Sequence, residues 1–188
     1  MKMDMDYRLI RRIGDNDMSA LGLLAKKYQK ALYGYAFRML GSRHSAEDVV
    51  QDTFLRVAKN AGRYKPQAKV ITWLFKIAYN LCVDKQRQPS KNIIPLEAVE
   101  QSLYVLDDRL NSAEQAEFIR ALRRLVKTLP TRQRTVLILY RYSGLSHAEI
   151  SQVTGWSVSS VESLIVRAYA NLRQMAAGDK ILKTYLQD

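Results

Sequence analysis

Apolar side chains recur along the chain at i, i+3, i+4 and i+7, and no stretch of useful length alternates with period two. That pattern predicts an all-α protein. The first block reads as four helices. Residues 4–13 make a short amphipathic one, closed by the turn residues Gly14, Asp15 and Asn16. Residues 17–40 continue as a long helix, which Gly41 stops in the position of a C-terminal cap. Ser45-Ala-Glu-Asp48 has the S-x-x-[DE] shape of a helix start, so a third helix is expected from there to about Asn60. A loop over 63–69 contains Pro66, and a fourth helix runs over 71–88 until Pro89 ends it.

Residues 89–111 break the pattern. They hold two prolines and no sustained helical period, and two bases (Lys91, Arg109) face four acids (Glu97, Glu100, Asp107, Asp108). This composition predicts a flexible linker. Beyond it, Ser112 opens a helix that Pro130 breaks, and Thr131 is placed to cap the next one through 142. Ser143-Gly144 turns the chain, Ser146 caps a short helix to 154, and Gly155 turns it again. Ser157 then caps a final helix to about 177. The expected architecture is two small helical domains, 1–88 and 112–188, joined by the linker 89–111.

Charge sharpens the picture. With 30 Lys+Arg against 18 Asp+Glu the net charge is +12, and both helical blocks are basic while the linker alone is acidic. Such a balance favours nucleic acid, an anionic membrane surface or an acidic protein as partner. One cysteine, Cys82, cannot form an internal disulfide or a thiolate zinc site. The acid-bearing N-terminus has no apolar signal region, and no uncharged apolar stretch reaches the roughly 18 residues of a membrane span. The expected location is therefore the cytoplasm. No helix pairs a cleanly basic face with an aromatic one, which argues against a peripheral membrane protein.

Chemistry has little to stand on. His147-Ala-Glu149 matches the H-x-E of zinc deaminases only superficially, since that signature also needs P-C-x-x-C. His44 lies one turn from Asp48, but both histidines sit where helices begin and read as first-turn residues. No P-loop, dinucleotide-binding or nucleophile-elbow motif occurs. The expectation is a protein without catalytic residues, metal or cofactor.

The most specific local signal is residues 145–165, LSHAEISQVTGWSVSSVESLI. Ser151 supplies a small residue where two short helices approach, and Gly155 supplies the turn. Leu145, Ile150, Val153, Val158, Val161 and Ile165 make an inward face at helical spacing. This reads as a helix-turn-helix, whose second helix enters the major groove. A plain helical hairpin within a bundle would share the pattern. In the DNA-binding reading, Ser157, Ser159, Ser160, Glu162, Ser163, Val166 and Arg167 point outward. Serine can bond bases or phosphates, Glu162 can accept from a cytosine amino group, and Val166 can meet a thymine methyl. Arg167 and Arg173 suit phosphates.

In the first block, Ala46, Val49, Val50, Thr53, Phe54, Val57 and Ala58 form one apolar stripe. Opposite lie Glu47, Asp48, Gln51, Asp52, Leu55, Arg56 and Lys59. Leu55, ringed by acids in a basic block, marks a protein-docking spot. Helix 71–83 is apolar nearly all round, with Trp73 expected in the core and a polar stripe of Thr72, Lys76, Asn80 and Asp84. Beside it, the loop Arg63-Tyr64-Lys65-Pro66-Gln67-Ala68-Lys69 offers the basic, aromatic and amide groups that hold a strand's backbone and cradle an unstacked base.

Three segments, AEDVVQDTFLRVAKN, ITWLFKIAYNLCVD and LPTRQRTVLILYRYSGLSHAEISQVTGWSVSSVESLIVRAYANLR, resemble the signature segments of extracytoplasmic-function sigma factors of the sigma-70 family, in that family's order and spacing. The resemblance implies region 2 over 1–88 and region 4 over 112–188. Asp48, Gln51, Asp52, Leu55 and Arg56 would dock on the clamp helices of the largest subunit of core RNA polymerase. Arg63, Tyr64, Lys65, Lys69, Thr72, Lys76 and Asn80 would capture the −10 element of promoter DNA as a single strand. The C-terminal helix would read the −35 duplex through the residues named above, and the linker would thread toward the RNA exit path. An anti-sigma factor, in this family often membrane-tethered, is a further implied partner. Glu162 stands where many members carry Lys or Arg, and Leu164 where many carry another Arg, so the −35 sequence does not transfer from them. A free-standing helix-turn-helix regulator with a sensing or dimerising N-terminal domain is the competing reading.

Overall fold

The computed structural model describes residues 5–66, 68–87 and 113–179. Among them every regular element is helical: α1 (Met5–Gly14), α2 (Met18–Leu40), α3 (Arg43–Asn60), α4 (Val70–Arg87), α5 (Ala113–Thr128), α6 (Thr131–Leu137), α7 (His147–Thr154) and α8 (Val158–Gly178). The expected linker lies outside the described residues, and so does Ser112 as the start of α5.

Local chemistry fixes most of the boundaries. Asp17 caps α2, its Oδ1 accepting from the Ser19 and Ala20 backbone N–H groups at 3.0 and 3.4 Å. The Ser19 hydrogen bond and Arg12 hold its carboxyl down at about 2. Gly41 ends α2 at φ 73°, a left-handed conformation that glycine adopts without strain, and its N–H reaches the Phe37 carbonyl. Ser146 and Glu149 form a reciprocal capping box on α7, Gly155 ends that helix at φ 77°, and Ser157 caps α8.

Two expected caps are corrected. Helix α3 begins at Arg43 because Ser42, and not Ser45, accepts the capping N–H. Thr131 is the first residue of α6 and not its cap; Pro130 stands at that position and offers no side-chain bond. The helix expected to run to 142 changes hand-hold at Ile138–Tyr142, which close a π turn, with the Ser143 N–H on the Ile138 carbonyl at 3.1 Å. A π turn swings its side chains off the 3.6-residue register. It leaves Tyr140 and Tyr142 exposed while Ile138 and Leu139 stay buried.

Helices α1–α4 pack around Leu24, Leu32, Tyr35, Val49, Leu74, Phe75 and Ala78, all essentially inaccessible. Tyr35 meets Phe75 edge-on at 5.6 Å. At the periphery, buried Asp6 accepts from Lys27 at 2.6 Å and from the Tyr28 hydroxyl, which pins α1 to α2. Burial, then Asp6, pushes the Tyr28 phenol up to about 12. The lone Cys82 is buried, and desolvation lifts its thiol to about 12, so it is an inert core group.

The two blocks are packed on one another. Buried residues of α1–α4 and of α6–α8 belong to one continuous apolar cluster, which runs from Leu9 to Ile165. Trp156, in the turn between α7 and α8, meets Tyr79 of α4 edge-on at 6.2 Å and carries the Arg132 guanidinium over its ring at 4.6 Å. Arg38 of α2 stacks over Tyr142 at 4.4 Å, and Lys69 pairs with Glu149 at 3.0 Å.

Candidate polymerase-docking and promoter-binding surfaces

The outer face of α3 is the first candidate surface. Ala46, Val49, Thr53, Phe54 and Val57 turn inward, while Val50 and Ala58 are half-buried. This leaves Gln51, Asp52, Leu55 and Arg56 exposed, with Leu55 49% accessible. Asp48 sits at the edge of this face. It accepts from Lys85 of α4 at 2.9 Å, with His44 Nε2 at 3.8 Å. An exposed apolar side chain flanked by acids and an amide suits a basic, apolar-bearing protein surface.

The second surface is an open pocket of about 670 Å³ lined by Asn60, Arg63, Tyr64, Lys65, Ala68, Thr72, Trp73, Lys76 and Gln152. A short 3-10 turn, Ala61–Arg63, leads the chain out of α3 and into the loop. The Tyr64 hydroxyl closes the loop by donating to the Ala68 carbonyl at 2.5 Å. The Tyr64 ring lies 4.8 Å from that of Trp73. Trp73 was expected in the core; it is half-buried and lines the pocket wall. Thr72 was expected on an exposed polar stripe with Lys76 and Asn80. It is 2% accessible, and its buried hydroxyl has no hydrogen-bond partner. Lys76 and Asn80 are exposed. Of the expected strand-binding residues, Arg63, Tyr64, Lys65, Thr72 and Lys76 therefore meet at one pocket. Lys69 is drawn aside to Glu149, and Asn80 is not among the lining residues.

The third surface is α8. Ser157, Ser159, Ser160, Glu162, Ser163, Val166, Arg167 and Arg173 are all exposed, with Val166 at 68%. The inward face holds Val161, Leu164, Ile165 and Ala168. Val158 is corrected: it is 41% accessible, because it opens the helix above the turn, and Leu164 takes the buried place instead. Ser151 donates to the Trp156 carbonyl at 2.6 Å, which ties the two helices across the turn. This is a helix-turn-helix whose second helix is uncovered along its polar side.

Sequence reasoning missed Gln152, which reaches the pocket from α7, and Trp156, which joins the blocks. The Trp156 signal was present as a large aromatic in a turn; nothing local marked Gln152.

Taken together, the architecture is that of a helical DNA-binding protein that joins a basic, aromatic-lined pocket and an acid-ringed apolar face to a helix-turn-helix. Residues 24–91 match the family model for sigma-70 region 2, and residues 119–172 match that for sigma-70 region 4. The RNA polymerase sigma-H factor of Pseudomonas aeruginosa is 29% identical, with 100% of this chain and 99% of that one aligned. The ECF RNA polymerase sigma factor SigW of Bacillus subtilis is 26% identical over 90% of this chain and 96% of that one. Among solved structures, CnrH in complex with the cytosolic domain of CnrY aligns with TM-score 0.72 and 26% identity, covering 94% of this chain and 100% of that one. The sigma factor RpoE of Bartonella quintana, in complex with the anti-sigma factor NepR, shares the fold at TM-score 0.64 and 20% identity, over 85% and 98% of the two chains. The chain belongs to the sigma-70 family of RNA polymerase sigma factors, in the extracytoplasmic-function group built of regions 2 and 4. Such a protein is a transcription initiation factor.

Proposed function

We propose that this chain docks on core RNA polymerase through Asp48, Gln51, Asp52, Leu55 and Arg56, captures the −10 strand in the Tyr64–Trp73 pocket and reads the −35 duplex with α8. The observation that carries this reading is the pocket. Three cations, Arg63, Lys65 and Lys76, surround two half-buried rings at the exit of the docking helix. Cations follow a strand's backbone, and a ring offers each unstacked base a face worth about 1–3 kcal/mol. Both blocks act inside the cytoplasm, and among the described residues no helix is long and apolar enough to cross a membrane.

The packed arrangement bears on how the chain works. With Gln152 on the pocket wall and Lys69 paired to Glu149, α7 sits against the strand site. Simultaneous reading of two separated promoter elements requires the blocks to part, so polymerase binding favours an open form. An anti-sigma factor would favour the closed one by clasping both blocks, a partner supported by the named complexes of CnrH and of the Bartonella sigma factor.

Glu149 gives a handle on this equilibrium. Burial raises its carboxyl, but the Ser146 backbone N–H, Lys69 and the Ser146 hydroxyl together outweigh that and leave it below the ordinary carboxylate value. A carboxyl depressed in the folded state adds stability above its unfolded value, and loses it as pH falls through the depressed one. At neutral pH the full contribution is present. Gln can replace Glu in a capping box but carries no charge. Glu149→Gln should therefore keep the reciprocal cap, lose the Lys69 ion pair and lower the melting temperature slightly at neutral pH. The difference from the wild type should shrink as pH falls. Glu149→Ala keeps the Ser146 cap but loses the reciprocal half of the box and the Lys69 pair, and should cost up to about 1 kcal/mol. A zero-length carbodiimide cross-link between Lys69 and Glu149 should form in the free chain and vanish in the polymerase complex. Its persistence in an active complex would contradict the opening step.

The functional reading is tested by mixing core polymerase, with and without this chain, with sheared genomic DNA. Fragments retained only in its presence should share two short elements at a fixed spacing. Retention without shared elements, or equal retention by core alone, would overturn it.

A further inference from the structure

We propose that His147 is a positioning residue for Glu162, holding its carboxylate in the orientation that reads one −35 base pair. The inference rests on the reading of α8 as the −35 helix. Glu162 is the fifth residue of α8, on its exposed side. Left alone there, it is poorly suited to reading a base. Its three side-chain torsions are free, and fixing such a chain costs conformational entropy. The phosphates on either side of a major groove repel its charge as well.

His147 answers the first of these by fixing the side chain's orientation. Its Nδ1 lies 3.4 Å from Glu162 Oε1, across the turn of the helix-turn-helix. A carboxylate only accepts, so the shared hydrogen belongs to Nδ1 and the imidazole donates. One carboxylate oxygen is thereby engaged, and the other is left to accept from an amino group, as a carboxylate does from the N4 of cytosine. The imidazole is itself placed from two sides. It is the first residue of α7, directly after the Ser146 cap whose hydroxyl and backbone are tied to Glu149. Its ring also lies 5.2 Å from that of Tyr140, which the π turn brings outward. Base discrimination at this position thus depends on a residue outside the recognition helix. His147 needs no contact with DNA for this role.

The test is selection by the holoenzyme from promoters randomised across the −35 duplex, using Glu162→Ala, His147→Ala and His147→Asn. An Asn amide can place an N–H close to where Nδ1 stood. In the wild type one position should favour cytosine on one strand. Glu162→Ala should remove that preference, about 5- to 150-fold if the contact is worth the usual 1–3 kcal/mol. His147→Ala should flatten the same position about three- to tenfold and leave the other positions alone. His147→Asn should restore most of it, and the double alanine variant should match Glu162→Ala. If His147→Ala lowers affinity evenly at every position, the imidazole is a phosphate contact and the proposal falls, while the reading of Glu162 stands. If Glu162→Ala changes no position, the reading of Glu162 falls and takes the proposal with it.

Discussion

Replacing Asp52 and Leu55 together by alanine should weaken association with core polymerase by about 30-fold or more, the effect of losing roughly 2 kcal/mol at the centre of an interface. Both side chains point away from the core of the first block, and Leu55 is half accessible on a face that otherwise carries polar and charged groups. An exposed leucine contributes little to folding. The double variant should therefore melt within about 0.5 kcal/mol of the wild type, as ordinary surface substitutions do. Asp48 is a poorer choice for this test, because it also holds Lys85 and its loss would disturb the α3–α4 contact. Competition for core against the unaltered chain gives the readout. Equal competition by the variant would remove α3 as the docking helix.

The second large effect is expected at the pocket. Changing Arg63, Lys65 and Lys76 to alanine removes three cations from its lining. For single-stranded DNA each phosphate contact adds about 0.7 to the slope of log affinity against log salt. The triple variant should lower that slope by about 2. Extrapolated from 1 M to about 0.1 M salt, this is a loss of roughly 100-fold in affinity. Tyr64→Ala should act differently. It removes a stacking face and the Ala68 closure of the loop, so affinity should fall with the salt slope nearly unchanged. The measurement is binding of a fluorescent −10 single strand by the holoenzyme across a salt series. An unchanged slope in the triple variant would show that these cations do not follow the strand.

Much of this molecule was legible in its sequence, and the reasons differ by element. Gly41 and Gly155 sit at left-handed caps that other residues adopt at a cost, so their places as helix ends followed from one residue each. Ser146 and Ser157 were found as caps because a helical period begins directly after them. The same logic failed at α3, where Ser42 and Ser45 both precede that period and the acid at Asp48 favoured the wrong one. Periodicity also misplaced Val158, since the first residue of a helix does not share the burial of the turns that follow. The π turn was invisible, because its register differs from the period used to detect helices.

The exposed face of α3 and the outward side of α8 were recoverable, since each is defined within a single helix. The pocket was only partly so. Its loop residues are adjacent in sequence, but Thr72 is buried where the helical pattern placed it on a polar stripe, and Gln152 arrives from the other block. The Lys69–Glu149, Tyr79–Trp156 and Arg38–Tyr142 contacts join residues about 80 to 100 positions apart. No local pattern encodes such pairings.

The measurement that bears most directly on the central claim is run-off transcription on genomic fragments by core polymerase, with and without this chain. Discrete transcripts that start only in its presence, with common elements near −10 and −35, are the predicted result. DNA binding by the chain without any new initiation would contradict the account and leave a free-standing helix-turn-helix regulator in its place.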